Sequence, residues 1–117
     1  MSEIARLGVG PRASGIVVSG DRLETSGIVA DPGVAHSIED QTRSVLAQLE
    51  SLLKQAGACK ANVTRIQIWL ADMKDFDAMN RIYDGWVGNA DQPARACVGA
   101  ELAHESYLIE IQASGTL

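Results

Sequence analysis

The sequence predicts a single α+β domain in which two amphipathic helices cover one face of a β-sheet. Three observations support this prediction. The length of 117 residues suits one hydrophobic core, two segments repeat apolar residues at helical spacing, and short alternating segments bounded by turn residues flank them. The predicted order of elements is β-β-α-β-α-β-β, within one domain of residues 1–117.

The first half of the chain predicts a hairpin followed by a long helix. The two strands are expected at residues 16–20 and 22–29, with a tight turn between them. Ser37 suits the N-cap of the helix, and Gly57 is a natural stop. The apolar stripe of this helix consists of Val45, Leu46, Leu49, Leu52, Leu53 and Ala56.

The second half predicts a strand, a second helix and two closing strands. Residues 63–71 alternate as a half-buried strand does. Asp75 is expected to cap the second helix, and Gly88-Asn89 ends it. The apolar stripe of that helix consists of Phe76, Met79, Ile82, Tyr83 and Trp86. The closing strands contain the segments Pro93–Val98 and Tyr107–Ile111.

Each closing strand carries one ionic side chain among apolar neighbours, Arg95 in the first and Glu110 in the second. Strands rarely carry such charges unless something pairs with them. A guanidinium can hold a carboxylate through two parallel hydrogen bonds, and a carboxylate can hold a water or move a proton. The pair therefore suggests a small acid whose reacting carbon lies next to its carboxylate. An interface ion pair between the two residues is the structural alternative.

Strand alternation predicts where these charges point. Arg95 and Cys97 share one face of their strand, whereas Ala96 and Val98 share the other. If the fully apolar sets face the helices, Arg95 and Glu110 point to the uncovered face of the sheet. Two helices cover only one face, so the other needs a partner, and a homo-oligomer with clefts between its subunits would provide one.

Four short segments carry a resemblance to a known family. They are Thr25-Ser26-Gly27, Phe76-Asp77-Ala78-Met79-Asn80, Pro93-Ala94-Arg95-Ala96-Cys97 and Ile109-Glu110-Ile111. In these segments, which span nearly the whole chain in the same order, the sequence resembles the Rid family, the reactive intermediate deaminases, also called the YjgF family. The resemblance implies a chorismate-mutase-like fold with a mixed sheet, and a homotrimer with an active site at each subunit interface.

The resemblance also implies an activity, which is the hydrolysis of enamine or imine intermediates of the 2-aminoacrylate or 2-iminopropanoate type to 2-oxo acids and ammonia. It implies no metal and no organic cofactor. By position, Arg95 would hold the substrate carboxylate and Glu110 would orient or activate the water. The rest of the implied pocket is the main chain around Gly27 and Cys97 with the side chains of Ser26 and Asn80.

The sequence departs from the family at three places, one of which is Ile28-Val29-Ala30, where the commonest members have a glutamine and a proline. Ser14-Gly15-Ile16 stands where many members have Gly-Pro-Tyr with an active-site tyrosine, and Gln112 stands where many have a second glutamate. These departures resemble a divergent branch and leave the natural substrate open. They also keep an alternative function, a non-catalytic module that binds or senses a 2-oxo acid. Cys97 has no histidine patterned near it, so packing is favoured over nucleophilic catalysis.

Charge and composition disfavour other classes of function. The net charge of −5 and the pI near 4.8 argue against a nucleic-acid or anionic-membrane surface, and therefore against ribonuclease action. No apolar run is long enough to span a bilayer, and the N-terminal residues do not resemble a signal peptide. A cytoplasmic protein with reduced Cys59 and Cys97 is expected.

Overall fold

The computed structural model describes residues 3–117, which form one six-stranded sheet with two helices packed on one of its faces. The predicted α+β class is confirmed. The strands are β1 (Ile4–Val9), β2 (Ser14–Ser19), β3 (Arg22–Thr25), β4 (Val63–Leu70), β5 (Ala94–Gly99) and β6 (Ile109–Thr116). The helices are α1 (Ile38–Gln55) and α2 (Phe76–Val87), and short 3₁₀ turns occur at Lys60–Asn62 and Met73–Asp75.

The strands are ordered β1-β2-β3-β6-β4-β5 across the sheet. The pair β4 and β5 is parallel and the other pairs are antiparallel, so the sheet is mixed. Parallel neighbours need a crossover connection, and α2 provides it between β4 and β5. This order places β5, which carries Arg95, at one edge of the sheet.

The hydrophobic core lies between the helices and one face of the sheet. Its largest fully buried side chains come from both layers and include Ile16, Leu23, Leu46, Leu49, Leu53, Ile66, Ile68, Leu70, Met79, Ile109 and Ile111. The other face has no helix over it. Among the residues described, no helix is both long and apolar enough to cross a membrane.

The strand β1 is missing from the predicted order. All of its residues except Leu7 are exposed, because β1 is the edge strand beside β2. An edge strand without a buried face leaves no alternating pattern in the sequence.

The predicted strand at residues 22–29 is shorter in the structure. Ladder pairing of β3 ends at Thr25, and the chain rejoins the sheet only at Ile28, which forms an isolated bridge with Ile111. Ser26 and Gly27 therefore lie in an irregular stretch between two paired segments, as expected where a strand bulges.

Of the two predicted helix caps, one is confirmed and one is wrong. The Ser37 side chain accepts a hydrogen bond from the Asp40 N–H, so the cap of α1 is confirmed. The prediction that Asp75 caps α2 is wrong, because its side chain makes no capping hydrogen bond. Asp72 instead accepts from the Lys74 N–H at 2.9 Å and caps the 3₁₀ turn that leads into α2.

The glycine at position 115 gives a test of the sheet's packing. A Cβ on Gly115 would collide with the Asn62 carbonyl oxygen and lie 3.0 Å from Val63 Cα. Because both neighbours are backbone atoms, Gly115→Ala should lower the free energy of unfolding by about 1–3 kcal/mol, the usual cost of overpacking. Urea unfolding followed by circular dichroism measures the change.

The matched control for that variant is Gly10→Ala, whose added Cβ would meet the Ala13 carbonyl oxygen at an ordinary 3.5 Å. This control should unfold at the same urea concentration as the natural protein. Equal stability of the two variants would contradict the packing described at Gly115.

Candidate active site

Arg95 extends from the edge strand β5 onto the side of α2. Its Nη1 donates to Asn80 Oδ1 at 2.8 Å, and its guanidinium carbon lies 4.7 Å from the centre of the Tyr83 ring. Phe76 is a more distant aromatic neighbour, at 6.0 Å. One amide and one ring therefore hold the guanidinium, and four of its five N–H donors have no acceptor among residues 3–117.

The predicted direction of Arg95 is wrong. In the parallel register Arg95 is opposite Ile66 and Cys97 is opposite Ile68, and both isoleucines are fully buried beneath the helices. Arg95 and Cys97 therefore point to the helix side of the sheet. The apolar set of β5 faces the open side, and because β5 is the edge strand, the exposed Arg95 reaches solvent beside α2.

Glu110 points to the open face, as predicted. It is opposite Trp69 in β4, and its neighbours in β6, Ile109 and Ile111, are fully buried on the other side. The Glu110 carboxylate forms no hydrogen bond or ion pair with another residue in the described part of the chain. Its side chain is half-buried.

The carboxylate of Glu110 occupies the space that a side chain on Gly27 would fill. A Cβ built on Gly27 would collide with Glu110 Oε2 and lie 2.9 Å from Cδ. The close approach therefore requires glycine at position 27. The irregular stretch at Ser26-Gly27, which sequence reasoning recognised only by its resemblance, positions the carboxylate.

The backbone around Gly27 is fixed by hydrogen bonds on both sides. Ser26 Oγ donates to the Ser14 carbonyl at 2.6 Å, and the Gln112 side-chain amide donates to the Thr25 carbonyl at 3.1 Å. Thr25 Oγ1 accepts from the Ala113 N–H at 3.0 Å. Because the Ser26 hydroxyl proton is used by the Ser14 carbonyl, Ser26 can offer a substrate only its oxygen lone pairs.

The site residues therefore form two separate groups within one chain. The arginine half consists of Arg95, Asn80, Tyr83 and Cys97, and the glutamate half consists of Glu110, Gly27 and Ser26. The strand β4 lies between β5 and β6, so the two halves are separated by two interstrand spacings, roughly 10 Å. They also lie on opposite faces of the sheet.

Each half borders its own cleft. A cleft of about 490 Å³ lies beside Arg95, Asn80 and Tyr83 at the end of α2. A larger cleft of about 770 Å³ lies beside Ser26 and Gly27. Since neither cleft contains residues of both halves, a single chain does not assemble the site that the sequence predicts.

Burial affects the acidity of two groups in the arginine half. It raises the pKa of the Cys97 thiol above its ordinary value, and the nearby Arg95 charge offsets this only in part. Burial likewise raises the pKa of the Tyr83 phenol, against the opposing effect of Arg95. Both groups are therefore protonated at neutral pH, so Cys97 lacks the thiolate that a nucleophile needs.

Sequence reasoning missed three residues near these clefts. Tyr83 appears in the sequence only as part of an apolar helical stripe, yet its ring holds Arg95. His104 and Tyr107, from the loop between β5 and β6, line the larger cleft together with Gly27. No periodicity marks a loop residue, so only the three-dimensional structure brings these two to the site. Among residues 3–117, no three His, Cys, Asp or Glu side chains gather as metal ligands.

Comparison with known proteins gives a consistent result over the whole chain. A family model described as endoribonuclease L-PSP matches residues 7–116. The RutC family protein of Haemophilus influenzae is 33% identical over 108 residues, which cover 92% of this chain and 93% of that protein. RutC family protein YoaB of Escherichia coli K12 is 32% identical over 109 residues, covering 93% and 94% respectively.

A solved structure shows the same fold. The crystal structure of a YjgF family member from Neisseria meningitidis superposes with a TM-score of 0.92 at 37% sequence identity, and the match covers 97% of this chain and 94% of that one. The expected chorismate-mutase-like fold is thereby confirmed. With the family model matching nearly every residue, the chain belongs to the Rid family, whose members are also named YjgF and RutC proteins.

Proposed function

We propose that this protein hydrolyses reactive enamine and imine intermediates, of the 2-aminoacrylate or 2-iminopropanoate type, to 2-oxo acids and ammonia. Membership of the Rid family supports a role of this general kind. The observation that carries the specific proposal is Arg95, an exposed guanidinium oriented by Asn80 and Tyr83 with no carboxylate partner among the residues described. Such a group is suited to bind a small carboxylate through two hydrogen bonds.

Arg95 would fix the substrate by its carboxylate. The Asn80 side-chain oxygen accepts from one Nη1–H and the Tyr83 ring packs against the guanidinium, so the other N–H groups, which have no acceptor among the residues described, are available for a carboxylate. Because the imine carbon is next to the carboxylate, a bound carboxylate determines where the reacting carbon lies. Orientation of this kind removes much of the entropic cost of bringing reactants together.

Glu110 would act on the attacking water. The imine reacts in its protonated form: the water oxygen bonds to the imine carbon, one water proton passes to the Glu110 carboxylate, and the π electrons of the C=N bond move to nitrogen, which gives a neutral carbinolamine. Glu110 then delivers that proton to the nitrogen, the C–N bond breaks as ammonia leaves, and the hydroxyl proton passes through Glu110 to the ammonia as the carbonyl of the 2-oxo acid forms. General acid–base assistance of this kind typically contributes about 10²–10⁴-fold in rate.

A homotrimer would bring the two halves together. The open face of the sheet includes the half-buried Trp69 and Val98, which is 47% exposed, so it has apolar surface available for packing against another copy. If each subunit presents its arginine half to the glutamate half of the next, three copies close a ring with three equivalent clefts. A small imino acid would bind in each cleft, and neither nucleic acid nor membrane would take part.

The matching family model is described as an endoribonuclease, but the charges of this chain argue against ribonuclease activity. The net charge is −5, and RNA binding requires a surface that neutralises phosphates. The larger cleft contains neither lysine nor arginine in its lining. Deamination of a small acid agrees better with these charges.

Removal of the guanidinium tests the carboxylate clamp. Arg95→Ala should lower kcat/KM for 2-aminoacrylate, generated in situ from serine by a dehydratase, by about 100-fold, because charge-assisted hydrogen bonds contribute about 1.5–3 kcal/mol each. Pyruvate formation gives the rate. Arg81→Ala, which removes an exposed arginine of the same helix layer outside both clefts of the site, is the control and should keep full activity.

Full activity in Arg95→Ala would show that the clamp is misassigned. A natural protein that binds 2-oxo acids without any turnover would instead support the alternative of a sensing module.

The contact between Gly27 and Glu110 allows a test that leaves Glu110 itself in place. Gly27→Ala adds a methyl group where Glu110 Oε2 lies, and the flexible carboxylate must move away. The backbone at Gly27 is not in the left-handed region, so the fold should tolerate alanine. We expect kcat to fall at least tenfold, a partial loss of the roughly 10²–10⁴-fold that acid–base assistance contributes, with little change in Tm.

The matched control is Gly85→Ala, where an added Cβ meets no atom within 4 Å. It should leave kcat unchanged, and Tm should not fall, because alanine is more favourable than glycine inside a helix such as α2. An unaltered kcat in Gly27→Ala would mean that the position of the Glu110 carboxylate does not matter for the reaction.

A further inference from the structure

We propose that the cleft beside Arg95 holds the substrate's side chain, that Asp84 pairs with a cation at the end of that side chain, and that imino acids derived from basic amino acids of the arginine type are the preferred substrates. This inference rests on the proposed function, because it assumes that Arg95 holds the substrate by its carboxylate. It adds a class of substrate and a specificity residue that the resemblance does not assign.

The cleft is connected to the reacting carbon through Arg95 itself. Arg95 lines the cleft together with Asn80, Tyr83 and Asp84. In an imino acid the reacting carbon is bonded to the carboxylate and also carries the side chain. A substrate held by Arg95 therefore has its reacting carbon at this cleft, and its side chain can extend along α2 within a volume of about 490 Å³.

The cleft contains two opposite charges that do not pair with each other. Among residues 3–117, Asp84 supplies the only carboxylate of the lining and Arg95 the only cation. The Asp84 side chain is exposed and forms no hydrogen bond or ion pair with another residue in the described part of the chain. A cleft with an unpaired guanidinium and an unpaired carboxylate is complementary to a ligand that carries both an anion and a cation.

The two charges are separated by about one turn of α2. Arg95 donates to Asn80 at 2.8 Å, and Asp84 follows Asn80 by one turn in the same helix. Side chains spaced in this way lie on one helix face, about 5–6 Å apart. The imine nitrogen does not span this distance from the carboxylate, because only two bonds of about 1.5 Å each separate it from the carboxylate carbon. A methylene stem that ends in a guanidinium, as in arginine, is long enough.

The Tyr83 phenol is a common neighbour of the two charges. Its ring lies 4.7 Å from the guanidinium carbon of Arg95, and the residue is only 5% exposed. Burial raises the pKa of the phenol most, the Arg95 charge lowers it, and the Asp84 charge raises it. Arg95 and Asp84 therefore both lie near the same side chain, within reach of one small ligand.

The end of α2 adds negative potential to the same part of the cleft. Gly88, the C-cap of α2, lines the cleft with Asn89 and Gln92, and a helix C-terminus carries a partial negative charge on its free carbonyls. The last turn of α2 contains no basic residue that would offset this charge. Val87 is the one aliphatic side chain in the lining and offers apolar surface to a methylene stem. An anionic side chain would be repelled here, and a purely aliphatic one would leave the polar lining without partners.

The imines of arginine and citrulline test this proposal, because their side chains have the same length and differ in a charged guanidinium against a neutral ureido group. Each imine, with the alanine imine as reference, is generated in situ by an amino-acid oxidase in the presence of catalase, and kcat/KM is measured from the rate of imine loss. The natural protein should prefer the arginine imine to the citrulline imine by about fivefold, equivalent to about 1 kcal/mol, the upper value for an exposed ion pair. The preference should nearly disappear at about 1 M salt, where the Debye length is about 3 Å.

Removal of the Asp84 charge should remove this preference. Asp84→Asn keeps the shape of the side chain, and its arginine-to-citrulline ratio of kcat/KM should fall close to one. Asp77→Asn is the matched control: Asp77 is exposed in the same helix and does not line the cleft, so its ratio should match that of the natural protein.

The outcomes separate this inference from the proposed function. If the natural protein hydrolyses the alanine imine but does not distinguish arginine from citrulline, or if Asp84→Asn keeps the natural ratio, the substrate class is overturned while the deaminase stands. If none of the three imines is hydrolysed, the proposed function fails and the substrate class fails with it.

Discussion

The two ionic side chains of the site point to opposite faces of one sheet, and the assembly of the proposed active site depends on that constraint. Arg95 lies opposite Ile66 on the helix side, whereas Glu110 lies opposite Trp69 on the open side. Side chains in neighbouring strands keep their face wherever the register is unbroken. No rotamer change can bring the two together within a chain, so a site that uses both must draw them from different copies.

The open face of the sheet belongs to the same arrangement. The helices α1 and α2 bury one face and create the core, but β5 lies at the edge, where Arg95 can rest on Tyr83 and still reach solvent. The open face holds Glu110 against Gly27. In the proposed trimer, the apolar surface around Trp69 and Val98 would be covered by the next subunit, and covering it would also align one subunit's arginine half with its neighbour's glutamate half.

The sequence predicted the helices and inner strands because their apolar periodicity directly reflects burial, as at Leu49 and Ile68, which are fully buried. It failed where that relation breaks down: β1 has no buried face, and β5 directs its apolar set away from the helices because it is an edge strand. Arg95 and Glu110 were found as single charges in predicted strands, and Gly27 was found only through the resemblance to the family. His104 and Tyr107 lie in a loop whose position is determined by a distant contact with Gln41, which no local pattern encodes.

Complementation between two inactive variants tests most directly whether each site is shared between two subunits. Arg95→Ala and Glu110→Gln are each purified, then unfolded, mixed in equal amounts and refolded together. If each site uses Arg95 of one subunit and Glu110 of the next, every mixed trimer contains one intact site, and statistical mixing should restore about a quarter of the natural activity. No recovery above the two separate variants, with mixed trimers confirmed by native mass spectrometry, would contradict a site shared between subunits.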